Sequence, residues 1–313
     1  MVLTKGLILS RIGFSVINNL NKENKTLLTL KDIFKLAEEY NMEINDFIYF
    51  YSLANIFIKT KMFNLVREIY IKDTKVILFD SNFSKYKNII IYFHGGGYCT
   101  GSPEIYYDFL KKINNKIQNT NFILIDYKKL PSYNLNQVIN TTYDVYNKLI
   151  EMINDKNIIL MGDSAGANLA LQITNLTVKN NKNIPNNLIC LSPWIISGIE
   201  GKYWKINFNK DYLTPYTINL AKTTVLNSTN YSEFDPLNFN YDNFPNMLIR
   251  AGSQELILDE IYALINKVKK SKCCMKSQIV KNMYHSFDLY YAFSRSDSPD
   301  YDKFINYLNS ILK

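Results

Sequence analysis

Residues 157–174 read NIILMGDSAGANLALQIT. An apolar run, Ile158 to Met161, leads into Gly-Asp-Ser-Ala-Gly at 162–166, and a helical pattern begins near Ala165. A G-x-S-x-G held between a strand and a helix demands a turn so tight that small residues must flank the serine, whose Oγ then stands clear of the sheet. Ser164 is therefore the expected nucleophile. The same stretch sets the fold class, because a buried strand followed at once by a helix is half of a βαβ unit.

The rest of the chain repeats this rhythm. Short, nearly continuous apolar runs occur at 88–93 (NIIIYF), 122–127 (FILIDY), 188–191 (LICL) and 247–251 (MLIRA), as strands buried on both faces of a parallel sheet require. Between them, residues 104–117, 138–153, 165–179 and 259–270 carry apolar positions three or four apart, and a last strand is expected near 277–281. The class is α/β, with a mostly parallel, doubly wound sheet. Residues 1–60 hold apparent helices, and residues 195–240 are rich in aromatic residues and Asn without a clear period.

A serine hydroxyl is a weak nucleophile near neutral pH and needs a base within hydrogen-bond reach. The chain has two histidines, His94 in HGGG at 94–97 and His285 in MYHSF at 283–287. Where a G-x-S-x-G elbow carries a triad, the order along the chain is serine, acid, histidine, so His285 is the expected base. The acid should follow the strand MLIRA, and AGSQELILDE at 251–260 offers Glu255 and Asp259. Glu255 lies on the expected loop and is preferred; Asp259 has the position of a residue capping the next helix and stands as the alternative. In HGGG, successive glycines let backbone N–H groups approach an oxygen that becomes negative. Gly96, Gly97 and Ala165 are the expected donors, with His94 and Gly95 shaping that turn. A phosphate-binding loop is disfavoured, since no G-K-[ST] follows and G-x-G-x-x-G spacing is missing.

Composition removes other classes. In 313 residues, 47% are hydrophobic and 20% charged, which suits a chain that buries a full core. The formal charge is +8, yet only four of the 36 basic residues are Arg and the Lys are scattered, which argues against nucleic acid as a partner. The four cysteines, Cys99, Cys190, Cys273 and Cys274, fit no metal spacing, and a reducing, cytoplasmic compartment is expected. No stretch approaches 18 uninterrupted apolar residues. Met1 to Leu20 is broken by Lys5, Arg11, Asn18 and Asn19, so this segment is expected to fold over the protein's own active site rather than lie on a membrane.

With these residues in place, the chain resembles the hormone-sensitive-lipase-like branch of the α/β-hydrolase esterases. HGGG followed about 70 residues later by GDSAG is that branch's paired signature. The likeness continues through DYKKLPSYN (126–134), LSPW (191–194), DYLT (211–214), AGSQELILDE and YHSF. It implies an α/β-hydrolase core over 61–194 and 241–313, and a lid made by an N-terminal helical segment (1–60) and an insertion (195–240). It also implies a carboxylic-ester hydrolase for a small-molecule ester with a short or medium acyl group, working through an acyl-enzyme without cofactor or metal. Glu255 falls on the acid position of the family's loop, where Asp is usual, and Asp163 is expected to hydrogen-bond locally. An amidase or deacetylase with the same triad, or a non-catalytic ligand-binding protein on the same fold, are the alternatives.

Overall fold

The apolar runs become strands of one sheet. The computed structural model describes residue 11 and residues 25–58, 66–153, 155–289 and 299–312. Its strands are β1 (Arg67–Ile71), β2 (Thr74–Leu78), β3 (Asn88–Phe93), β4 (Thr120–Asp126), β5 (Asn157–Asp163), β6 (Asn187–Leu191), β7 (Asn246–Gly252) and β8 (Met275–Val280). They form one sheet in the order β1-β2-β4-β3-β5-β6-β7-β8. From β4 to β8 all neighbours are parallel, while β2 is antiparallel to both β1 and β4. The β1–β2 hairpin is absent from the expected strands because β1 (REIYI) is largely exposed and lacks the continuous apolar signature of a central strand.

Helices cover both faces: α1 (Lys25–Glu39), α2 (Ile44–Ile58), α3 (Tyr107–Asn114), α4 (Leu135–Ile153), α5 (Ala165–Lys179), α6 (Lys202–Ile206), α7 (Pro215–Leu226), α8 (Leu258–Lys269) and α9 (Pro299–Ile311). Successive side chains of a strand point to opposite faces, so each strand feeds two cores. Ile89, Ile91 and Phe93 of β3 pack with residues of α4, α5 and α8, such as Val138, Leu169 and Leu264. Ile90 and Tyr92 pack instead with α1, α2, α3 and α9, through residues such as Leu36, Phe50, Phe109 and Phe304. All six positions of β3 are buried, and each isoleucine taken from water contributes about 1.5–3 kcal/mol. Helix α4 starts three residues ahead of the expected 138 because Asn134 and Gln137 cap each other reciprocally, Gln137 N–H to Asn134 Oδ1 at 2.8 Å and Asn134 N–H to Gln137 Oε1 at 2.9 Å.

The stretch without a sequence period folds as α6, α7 and short turns. Helix α7 begins at a capping box between Thr214 and Thr217, with Pro215 in its first turn. This helix lies under the N-terminal pair: Tyr216 Oη donates to Met42 O at 2.7 Å, and the Phe34 ring of α1 meets Tyr212 edge-on at 5.6 Å. The expectation for Met1 to Leu20 falls, apart from residue 11, outside the described residues. Among the described residues no helix is long and apolar enough to cross a membrane. In register, Phe93 stands opposite Gly162, Asp163 opposite Leu191, and Leu191 opposite Arg250, so the loops after β3, β5, β6 and β7 share one rim of the sheet.

Candidate active site

Ser164 follows β5 directly and precedes α5, with φ 53° and ψ −121°. A side chain at positive φ is uncommon and strained, and it persists only where the surroundings dictate it. Here they do. Ser164 N–H donates to Leu191 O at 2.9 Å, and Ser164 O accepts from Asn168 N at 3.1 Å and Trp194 N at 3.1 Å. The flanking glycines are forced by contact rather than by torsion. A Cβ on Gly166 would sit 2.1 Å from Phe93 O, and one on Gly162 would sit 2.5 Å from Gly166 O. In a stretch that is otherwise buried, Ser164 is half-exposed.

The HGGG loop leaves β3 beside this elbow. Gly95 N–H donates to Asp163 Oδ1 and to Tyr106 Oη, both at 2.9 Å. Gly96 has φ +122°, and its carbonyl accepts from Cys99 N and Thr100 N. Among the described residues the N–H groups of Gly96, Gly97 and Ala165 find no hydrogen-bond partner, and Gly96 and Gly97 are half-exposed like Ser164. Backbone donors are rarely left unpaired without reason, so three of them on two loops joined by the Gly95–Asp163 bond are equipped to receive an anion or oxyanion. His94 stands behind the loop. Its Nδ1 meets Gly95 O at 2.7 Å, its ring stacks on Tyr127 at 4.3 Å, and Tyr127 Oη donates to His94 O at 2.7 Å. The DYKKLPSYN stretch thus braces HGGG from beneath.

His285 lies on the loop after β8. Its Nδ1 meets Glu255 Oε2 at 2.9 Å, and both side chains are buried. Glu255 Oε1 accepts from Gly252 N and Ser192 Oγ, each at 2.6 Å. Burial opposes charging of the imidazole, but the Glu255 hydrogen bond and charge, with Asp211 and Asp163 behind them, outweigh it and hold His285 above its ordinary value. With Nδ1 committed to a carboxylate, Nε2 is the ring nitrogen left to exchange a proton.

Chain neighbours tie this loop to the elbow. Ser286 Oγ donates to Asp163 Oδ2 at 3.2 Å, and Ser286 N–H donates to Ser192 Oγ at 2.9 Å. The residues next to Ser164 and next to His285 are therefore bonded to each other. Asp163 reaches farther than the local bonding expected of it: it also accepts from Tyr92 Oη at 2.9 Å and lies 3.3 Å from Tyr106 Oη. Burial pushes its carboxyl up despite these donors.

Glu255 and Asp259 part company in the structure. Asp259 lies in the first turn of α8 rather than capping it, and its carboxylate accepts from Tyr203 N at 2.8 Å and Trp204 N at 2.9 Å, which caps α6 instead and leaves His285 to Glu255. Three further groups carry no signal in the local sequence pattern. Ser192 bridges Glu255 to the histidine loop, Asn207 Nδ2 donates to Glu255 O at 2.9 Å, and Asp211 accepts from His285 N at 3.1 Å and Leu256 N at 2.8 Å. Ser192 and Asp211 stand in the LSPW and DYLT stretches, which mark them as positions of interest without giving a role. Among the described residues no group of three or more His, Cys, Asp or Glu is placed to hold a metal ion.

Comparison with known proteins agrees with this architecture. A family model described as alpha/beta hydrolase fold matches residues 90–289. An esterase of Acinetobacter venetianus is 25% identical over 210 residues, covering 66% of this chain and 69% of that protein. An acetyl-hydrolase of Streptomyces hygroscopicus is 23% identical over 207 residues, covering 64% of this chain and 69% of that protein. Among solved structures, an esterase from the bacterial hormone-sensitive lipase family superposes with a TM-score of 0.76 at 18% identity, covering 91% of this chain and 98% of that one.

Proposed function

This chain belongs to the alpha/beta hydrolase fold family, and from that premise we propose that it is a serine carboxylic-ester hydrolase for esters with short or medium acyl groups. The observation that carries the reading is the buried Glu255–His285 pair on the same rim as strained Ser164, beside the unpaired N–H groups of Gly96, Gly97 and Ala165. Ser164 Oγ attacks the ester carbonyl carbon while His285 Nε2 takes its proton. Glu255 fixes the tautomer by accepting from Nδ1 and stabilises the imidazolium as it forms. The carbonyl oxygen becomes negative and is received by the three N–H groups; losing one such donor typically costs about 10²–10³ in rate. His285 then protonates the departing alcohol, which leaves an acyl group on Ser164. Water repeats the cycle, giving its proton to His285 and releasing the carboxylic acid and free Ser164.

No cofactor enters these steps. The relatives named as an esterase and an acetyl-hydrolase support small acyl esters as the substrate class. Helices α1 and α2 and the 195–240 segment form the lid in this reading, with Phe34 and Tyr212 as its aromatic lining against Tyr284 and His285 of the loop after β8. Four free cysteines support a cytoplasmic compartment. A p-nitrophenyl ester series graded by acyl length, run on wild type and Ser164→Ala, tests the proposal. The variant should lose about 10⁴-fold or more in kcat, and a fluorophosphonate should label wild type alone. Equal rates for the two proteins would refute the reading.

A further inference from the structure

The carboxylate of Asp211 joins three stretches that are far apart in the chain. It lies between α6 and α7, in the segment without sequence period, and the N–H of the next residue, Tyr212, donates to its Oδ1 at 2.8 Å. Oδ1 also accepts from the N–H of His285, at 3.1 Å. Oδ2 accepts from the N–H of Leu256, the residue after Glu255, at 2.8 Å. One side chain therefore holds the backbone of the loop that bears the base and the backbone of the loop that bears the acid, in each case within one residue of the functional side chain. A second strand of support comes from the same segment: Asn207 Nδ2 donates to Ser253 O at 3.1 Å and to Glu255 O at 2.9 Å.

We propose that Asp211 is a positioning residue through which the 195–240 segment sets the Glu255–His285 pair, so that removal of its carboxylate disables proton transfer without touching Ser164 or the oxyanion donors. The inference rests on the ester-hydrolase reading for its kinetic consequence. Its geometric content does not.

Two properties separate this from a loop knot. First, Oδ1 and Oδ2 are spent on different loops, so an amide in place of the carboxylate keeps one set of bonds and turns an NH2 toward the donors of the other. Second, the carboxylate stands near the imidazole as a charge. Among the described residues, the charged and titratable groups facing His285 are Glu255 from the loop after β7, Asp163 from the elbow and Asp211 from the lid segment, with the Tyr212 ring 6.0 Å away. Desolvation pushes the Asp211 carboxyl up to about 6, with the Glu255 charge adding to it and His285 pulling the other way, so the group is ionised where a neutral His285 would work. Removing its charge lowers the pH at which His285 loses its proton, an effect that a purely mechanical support would not have.

The test compares Asp211→Asn and Asp211→Glu with wild type and Ser164→Ala. In Asp211→Asn, kcat on p-nitrophenyl butyrate should fall about 10- to 10²-fold, as for misplacement of a reacting group by a fraction of an ångström to an ångström, with KM little changed. The acid limb of its activity profile should move to lower pH. Asp211→Glu keeps the charge but lengthens the arm, so it should lose kcat while its limb stays near wild type, and it serves as the second probe if the amide variant does not fold. The chain has two histidines, so the His285 ring can be titrated by NMR in Ser164→Ala with and without Asp211→Asn, in the absence of any substrate. A downward shift of the His285 titration supports the proposal even if no ester is turned over. Wild-type kcat in the folded variants, or an unmoved His285 titration, would overturn it. Equal activity in wild type and Ser164→Ala would instead sink the ester-hydrolase reading and leave the titration as the judge of Asp211.

Discussion

The rim of strand ends and the segment between α6 and α7 both reach the same imidazole, but they do so by different means. On the rim, Ser164 follows β5 directly, His94 follows β3 directly, and Glu255 lies three residues past β7. Each is placed by a short, stiff connection whose geometry is nearly dictated by its neighbours, as at Gly166, where a Cβ would sit 2.1 Å from Phe93 O. Between α6 and α7, Asn207 and Asp211 arrive from chain with little regular structure and act through single side chains on the backbone of other loops. In our proposal the rim makes the chemistry available, and the segment between α6 and α7 sets how steadily it is held.

The sharpest way to break this comparison is at the acid. Glu255→Gln replaces the acceptor facing His285 Nδ1 with an amide that can donate, which favours the tautomer carrying its proton on Nε2 and removes the base. A loss of kcat on the order of 10³–10⁴ is expected on p-nitrophenyl butyrate, with the protein still folded by circular dichroism. Activity within tenfold of wild type would transfer the acid's task to another residue, Asp211 being the nearest alternative by contact with the His285 backbone.

A smaller effect tests the electrostatics of the rim. The His285 imidazole is held above its ordinary value of about 6.5, so kcat/KM should rise with pH through an apparent pKa above that figure. The sign follows from the charges: neighbouring carboxylates favour the protonated ring, and only the neutral ring serves as base. The residual activity of Glu255→Gln should show its limb at lower pH. A profile flat between pH 5 and 8 would remove His285 from the role of base.

The mildest change separates the two acidic residues first weighed for the triad, Glu255 on the loop after β7 and Asp259 in the first turn of α8. Asp259→Asn weakens the cap on α6 and should cost about 0.5–2 kcal/mol in thermal or urea unfolding, with kcat/KM close to wild type. If that substitution removed activity as Glu255→Gln does, the division between a rim that reacts and a segment that supports would fail.

Much of the rim is legible in the residue order because its constraints are local. The strands at 88–93, 157–163, 187–191 and 246–252 are near-continuous apolar runs, and two buried faces leave them no other composition. GDSAG and HGGG are legible for a second reason: at Gly96, Gly162 and Gly166 a Cβ would come within 2–3 Å of neighbouring backbone, and only glycine fits. The β1–β2 hairpin is not, since an exposed edge strand resembles many loops. The reach of Asp163 is not either. Its bonds to Tyr92, Gly95 and Ser286 span 71, 68 and 123 residues of chain, and nothing near residue 163 encodes them.

The order of residues by itself determined an α/β sheet, a serine on a strained turn, and two histidines of which one follows a last strand, because each depends on side-chain size or apolar spacing over a handful of positions. Folding in three dimensions decided which carboxylate meets His285, that Ser192 bridges acid and base loops, and that Asp211 grips both from a segment with no readable period. Those choices depend on directions and distances between loops brought together by the sheet. A hydrogen bond across that gap is set by the packing of the whole rim and leaves no trace in the spacing of letters.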